Sequence, residues 1–350
     1  MTRQRVPFFD AHCDALMKAV DEQVDLLDER SAQHISVPGL IEADVRAQVF
    51  ACYVLSDPKP ETHRVRADAM IDALEDTIER SDGMLRLART GRDLREAFDG
   101  GPAVAVLGLE GADPLEGRAE TLRPFYDRGV RDIIFAWKDN AFSGSSAGQN
   151  TGLTVQGERL LGLAEELGIM VDVSHLSDRA FDEVCVQSTR PFIASHSNCR
   201  ALCNHPRNLT DSMIRALAEQ GGVMGINLAT GFLSPDSMMR WQAATEETGA
   251  DRYEYRERVA ILQKVAPTIP RPSLDWVARH VLHAIDVGGE AVVGLGGDLD
   301  GILQMPQSIR RVADYPKLID ALATAGLSDR QIEGVCYKNL LRVYTNVMPD

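Results

Sequence analysis

Eight short apolar runs recur along the 350-residue chain, separated by stretches of helical periodicity. They are VPFFDAH from Val6, QVFACYV from Gln48, AVAVLGLEG from Ala103, DIIFAW from Asp132, IMVDVSH from Ile169, PFIASH from Pro191, GVMGINL from Gly222 and AVVGLGGD from Ala291. Most lack strict polar alternation, the pattern of strands buried on both faces. Such strands alternating with helices predict repeated βα units and a parallel sheet. RLLGLAEELG sets Leu160, Leu161, Ala164 and Leu167 at helical spacing and stops at Gly168, the usual C-terminal residue. Ser273 precedes LDWVARHVLHAI as an N-terminal signal, and Ser328 with Gln331 forms a capping-box pattern before IEGVCYKNLLRVY. Eight strands in this alternation predict an α/β fold, a closed (β/α)₈ TIM-type barrel. The rival is an open doubly wound sheet, but its Gly-rich phosphate turn is missing, since the first run ends in HCDAL.

The segment from Ser234 to Pro270 is longer and more charged than a simple connection and reads as a largely helical excursion between the seventh and eighth strands. With no internal repeat, low-complexity tract or linker, residues 1–350 read as one domain. A 44% hydrophobic content supplies a large core. Against 37 basic residues stand 52 acidic ones, and the net charge of -15 repels phosphate backbones, which argues against a nucleic-acid partner. Every apolar run is interrupted well before the roughly 18 residues of a spanning helix, so no membrane span is predicted. MTRQRVPFFDAH has no signal-peptide core, and the chain reads as cytoplasmic. The six scattered cysteines read as free thiols.

In a barrel of this kind the active site lies at the C-terminal ends of the strands. The first run ends in His12-Cys13-Asp14, the third in Glu110, the fifth in His175, the sixth in His196 and the eighth in Asp298 with Asp300. Imidazoles mixed with carboxylates are a donor set that zinc accepts, and His12 and Asp14, two apart on a strand, point to the same side. A carboxylate bridges two cations readily, so Glu110 between the pairs His12/Asp14 and His175/His196 suits ions about 3.5 to 4 Å apart. Each residue alone is weak evidence. Five ionisable groups at the ends of apolar strands are costly to bury unless they share a task.

A competing cluster, Cys199, Cys203 and His205 beside His196, has the wrong ligand order for a structural zinc site, and the two cysteines are expected to pack on one face of a helix. His280 and His283 read as a helix face, and His34 and His63 as structural. Trp137, Trp241 and Trp276 are too dispersed for a base-stacking platform.

The longer blocks carry more information: FFDAHCDAL, LGLEGAD, GLTVQGERLLGLAEELGIMVDVSHLSD, ASHSNCRALCNHPRNLTD, GINLATGFL, VGLGGDLDG and NLLRVY. Over nearly its whole length the chain resembles the membrane (renal) dipeptidase family of binuclear zinc peptidases, within the amidohydrolase-like metal barrels. The resemblance implies two zinc ions per subunit, with His12 and Asp14 on the first, Glu110 bridging, and His175 and His196 on the second. Manganese, cobalt or iron would also suit these donors. It places the family's acidic residue at the reacting centre on Asp298 and its arginine clamp for the substrate carboxylate on Arg207. Asp300 then reads as a structural partner. The implied reaction is hydrolysis of dipeptides, including L-Xaa-D-Xaa, by a hydroxide on the two metals, with a homodimer compatible with the family.

One departure stands out. Where the family has a histidine after the fourth strand, in a stretch like THNRNNALADS, this chain has FAWKDNAFSGS, with Ala136 at the histidine position. Lys138 is the candidate substitute for substrate binding. The departure motivates an alternative, an amidohydrolase acting on N-acyl amino acids or another small amide. A third alternative, a metal-binding protein without catalysis, is opposed by the intact Asp298 and Arg207.

Overall fold

The computed structural model describes residues 6–30, 33–55 and 57–350. Among these residues nine strands form one all-parallel sheet: β1 (Phe8–Cys13), β2 (Val45–Tyr53), β3 (Leu85–Leu87), β4 (Ala103–Glu110), β5 (Val130–Ile134), β6 (Met170–Asp172), β7 (Ile193–Ala194), β8 (Val223–Ile226) and β9 (Val293–Leu295). Pairing of β2 with β4 and of β9 with β1 closes eight of them into a (β/α)₈ barrel. Each of the eight apolar runs holds one barrel strand. The ninth strand, β3, is too short to show as a run, and pairs with β4 at Ala103–Ala105, below Leu107 where β5 takes over that edge. It therefore sits beside the barrel without opening it.

One apolar cluster joins Phe9, Ala11, Val49, Val104, Val106, Met170, Ile193 and Val223 to Leu340, Val343 and Tyr344 of the C-terminal helix Asn339–Val347. Full burial of each large side chain contributes roughly 1.5–3 kcal/mol relative to exposure. The Tyr344 hydroxyl donates to Asp132 Oδ2 at 2.7 Å, giving that buried carboxyl a partner.

The helix Val155–Leu167 begins where Thr154 accepts from the Gly157 N–H and ends at Gly168, whose φ of 70° is the left-handed conformation that glycine adopts without strain. The Ser328/Gln331 capping box is formed. Ser273, in contrast, caps nothing: the helix starts at Asp275, and the Ser273 hydroxyl donates to the Asp275 carboxylate instead of accepting from the backbone. The expected helix carrying Cys199 and Cys203 is also absent. Residues 197–210 run through turns because Asn198, Arg200 and Leu209 exchange backbone and side-chain bonds across the loop, which uses up the groups a helix needs.

Between β8 and β9 lie the helices Pro235–Thr248 and Tyr255–Val265. Ser234 starts the first by accepting from the Ser237 N–H, with Pro235 pre-set for the first turn. No helix among the described residues is long and apolar enough to cross a membrane.

Candidate active site

At the C-terminal mouth of the barrel six ionisable side chains converge. His12 Nε2 lies 3.6 Å from Asp14 Oδ2 and 3.5 Å from Glu110 Oε2. Glu110 Oε1 lies 3.1 Å from His175 Nε2 and 3.8 Å from His196 Nε2, and the two imidazole Nε2 atoms are 2.8 Å apart. Glu110 thus stands between the two predicted pairs. Ligand atoms of His12, Glu110 and His196 fall within 4.8 Å of one another, and so do those of His12, Asp14 and Asp298. The second group puts Asp298 as close to the pair as a ligand would be.

Local structure aims these groups. The Asp298 N–H donates to the His12 carbonyl at 3.1 Å and the Asp14 N–H to the Leu299 carbonyl at 2.9 Å, so the loop after β9 continues the pairing with β1 beyond the strands. Asp10 accepts from the Gly297 and His12 N–H groups and from the Tyr315 hydroxyl, bracing the same junction from below. His175 and Asp298 have φ of 69° and 58°, a conformation non-glycine residues rarely adopt and one that costs of order 1–3 kcal/mol. The Ser146 N–H, 2.7 Å from the His175 carbonyl, helps hold the first of them. On the far side of the His196 ring, Ser195 Oγ is 2.6 Å from Nδ1, which turns Nε2 toward Glu110.

Burial dominates the electrostatics. It pushes Asp14 up to about 7, with the charge of Glu110 adding to the effect. Asp298 rises to about 8, by burial first; His12 pulls it back down, while the charges of Asp14 and Glu110 add to the rise. Burial opposes a charged His12, but Glu110 and Asp14 overcome it and raise that imidazole. His175 and His196 are held well below the usual histidine range, by burial first and then by Arg207 and His12, and are neutral donors of lone pairs. His12 Nε2, Asp14 Oδ1 and Glu110 Oε2 are buried and have no hydrogen-bond partner among the described residues. Leaving such atoms unpaired costs roughly 1–3 kcal/mol each. A divalent cation satisfies all three, and a mixed imidazole and carboxylate set fits zinc or a similar ion.

Sequence comparison decides the lineage. The family model for membrane dipeptidases, peptidase family M19, matches residues 2–348. The chain belongs to the membrane dipeptidase family. A protein in the pqqA 5' region of Klebsiella pneumoniae is 32% identical over 282 residues, covering 78% of this chain and 93% of its own. Dipeptidase verJ of Clonostachys rogersoniana is 29% identical over 364 residues, covering 98% of this chain and 84% of its own. A metallo peptidase of Rhodobacter sphaeroides, solved with a phosphinate mimic of the dipeptide L-Ala-D-Ala, matches with a TM-score of 0.83 at 25% identity, covering 98% of this chain and 100% of its own. As a membrane dipeptidase the chain is a metallopeptidase of the TIM-barrel type.

A cavity of about 430 Å³ opens over the cluster, lined by Asp14, Glu110, His175 and Asp298 among others. Arg207 lines it too; its Nη2 donates to the His196 carbonyl at 3.3 Å, and burial lowers the guanidinium to about 10, still a cation at neutral pH. His205, considered in sequence as a zinc ligand, instead accepts from the Arg207 N–H and packs its ring, tilted, against that of Phe232 at 4.4 Å. Neither it nor Cys199 or Cys203 joins a metal-holding group among the described residues.

At the position of the family histidine, Ala136 is fully buried, and Trp137 lines the cavity with its ring 5.6 Å from that of His175. Lys138 does not line the cavity: its side chain is exposed, with Nζ 5.8 Å from the ring of Trp137, which does line it. Asn227 was missed in sequence. Its Nδ2 donates to Asp298 Oδ2 at 2.8 Å and to the His196 carbonyl at 3.3 Å, and the only signal was its place after the apolar GVMGI run. Asp300 accepts from the His34 and Ile35 N–H groups and anchors a loop.

Proposed function

We propose that this membrane dipeptidase cleaves dipeptides, L-Xaa-D-Xaa among them, with two zinc ions held by His12, Asp14, Glu110, His175 and His196. The observation that carries this reading is the set of buried His12, Asp14 and Glu110 atoms without a partner among the described residues, two of these side chains lining a cavity that also holds a buried arginine. When bound, the two ions supply an acidified water and polarise the scissile carbonyl. Arg207 binds the carboxylate of the substrate, for which the planar guanidinium fork is suited, and so sets which amide faces the cluster. Asp298 accepts the proton of the attacking water and returns it to the departing amine, so that one water is consumed and one acid and one amine are released. Asn227 holds the Asp298 carboxylate in place for both transfers. Support for the L–D preference comes from the Rhodobacter sphaeroides relative and its L-Ala-D-Ala mimic. A cytoplasmic site of action belongs to the same reading, supported by six unpaired cysteines.

The second reading, hydrolysis of N-acyl amino acids, is favoured by one observation, the replacement of the family histidine by buried Ala136 beside Trp137. Zinc-loaded protein should cleave members of a library of L-Xaa-L-Xaa and L-Xaa-D-Xaa dipeptides, and chelator-treated protein should not. Cleavage of N-acyl amino acids with silence across the dipeptides would replace the first reading by the second.

A further inference from the structure

Tyr53 ends β2, and in the parallel pairing of β2 with β4 its register partner is Glu110. The residue therefore stands at the level of the carboxylate between the two halves of the cluster. It lines the same cavity as Asp14, Glu110, His175 and Arg207, yet it is only 2% exposed. Its hydroxyl is buried and has no hydrogen-bond partner among the described residues. The ring is held from two sides, by Trp137 at 5.2 Å and Tyr255 at 5.1 Å, and Trp137 in turn lies against His175.

A phenylalanine would fill this place equally well and would not bury an unsatisfied donor. A donor beside a reaction centre, with nothing among the described residues to receive its proton, points to a group on the substrate that accepts one. Tyr255 belongs to a helix of the excursion and is half-buried, whereas Tyr53 is the buried last residue of a barrel strand.

We propose that the Tyr53 hydroxyl donates a hydrogen bond to the scissile carbonyl oxygen as negative charge develops on it. The proton stays on the phenol throughout. Trp137, which follows Ala136, positions the ring. This deepens the dipeptidase reading and rests on it.

Tyr53→Phe removes the hydroxyl and keeps the packing. In the zinc-loaded full chain, kcat on the best dipeptide should fall about 10²-fold, the usual loss for one such donor, with KM, zinc content and thermal midpoint near those of the wild type. Affinity for a phosphinate dipeptide mimic, measured by calorimetry, should fall in parallel, because its tetrahedral oxygen occupies the place of the developing charge. A kcat and phosphinate affinity within about twofold of the wild type would overturn the proposal and leave the dipeptidase reading standing. Loss of zinc from Tyr53→Phe would also overturn it, since the hydroxyl would then serve the assembly of the site. A wild type that neither cleaves dipeptides nor binds the phosphinate overturns the underlying reading itself.

Discussion

Asp298 occupies a left-handed backbone conformation, is almost fully buried and shares its carboxylate with the Asn227 amide. Strain of this kind persists only where surrounding bonds over-determine it, here the Asp298 N–H on the His12 carbonyl. Its position beside His12 and Asp14 is compatible with either proton transfer or metal binding, and one variant separates the two. Asp298→Asn should lower kcat by about 10²- to 10⁴-fold with both metals retained, measured by turnover and by metal analysis of the same sample. Metal loss would make Asp298 a ligand. Asn227→Ala should cost about 10- to 100-fold in turnover by freeing the carboxylate.

At the scale of elements, the helix Asp275–Gly288 is tied to the loops beside the site through His280, which is buried within it. Its Nδ1 accepts from the Cys199 N–H at 3.0 Å and its Nε2–H donates to the Leu233 carbonyl at 2.8 Å, so the ring is neutral and the proton sits on Nε2. Burial lowers its pKa from 6.5 to about 4. The folded protein therefore binds fewer protons than the unfolded chain between these values, and the stability from this residue, complete above 6.5, is lost as pH falls toward about 4. His280→Ala should destabilise by roughly 2–4 kcal/mol at pH 7 by stranding two buried backbone groups. Denaturant midpoints at about pH 7 and pH 5 should show a smaller pH-dependent loss in the variant than in the wild type. An equal loss would show that another group carries the acid sensitivity.

At the scale of the whole molecule, the cluster joins the ends of five strands or the loops that follow them, so an ion bound there links segments from both ends of the chain. Ligand that binds only the folded state stabilises by mass action, about 2.7 kcal/mol at a hundredfold excess over Kd. Chelation should lower the thermal midpoint and zinc should restore it, as read by scanning calorimetry; an unchanged midpoint would argue against a metal in this cluster. How much of this was legible beforehand follows from what each feature depends on. The barrel strands and the polar residues at their ends were readable, because burial on both faces and the place where a strand stops are written locally in each run. The failed cap at Ser273 and the missing helix at Cys199 show the limit, since side chains nearby compete for the same backbone groups. Sequence by itself determined the eight βα units, the family and the ionisable residues available at the barrel mouth. Only the tertiary structure decided that Tyr53 stands beside Glu110, that Asn227 reaches Asp298 across 71 residues and that Lys138 does not line the cavity, because barrel closure and strand register bring together groups whose separation along the chain carries no local pattern.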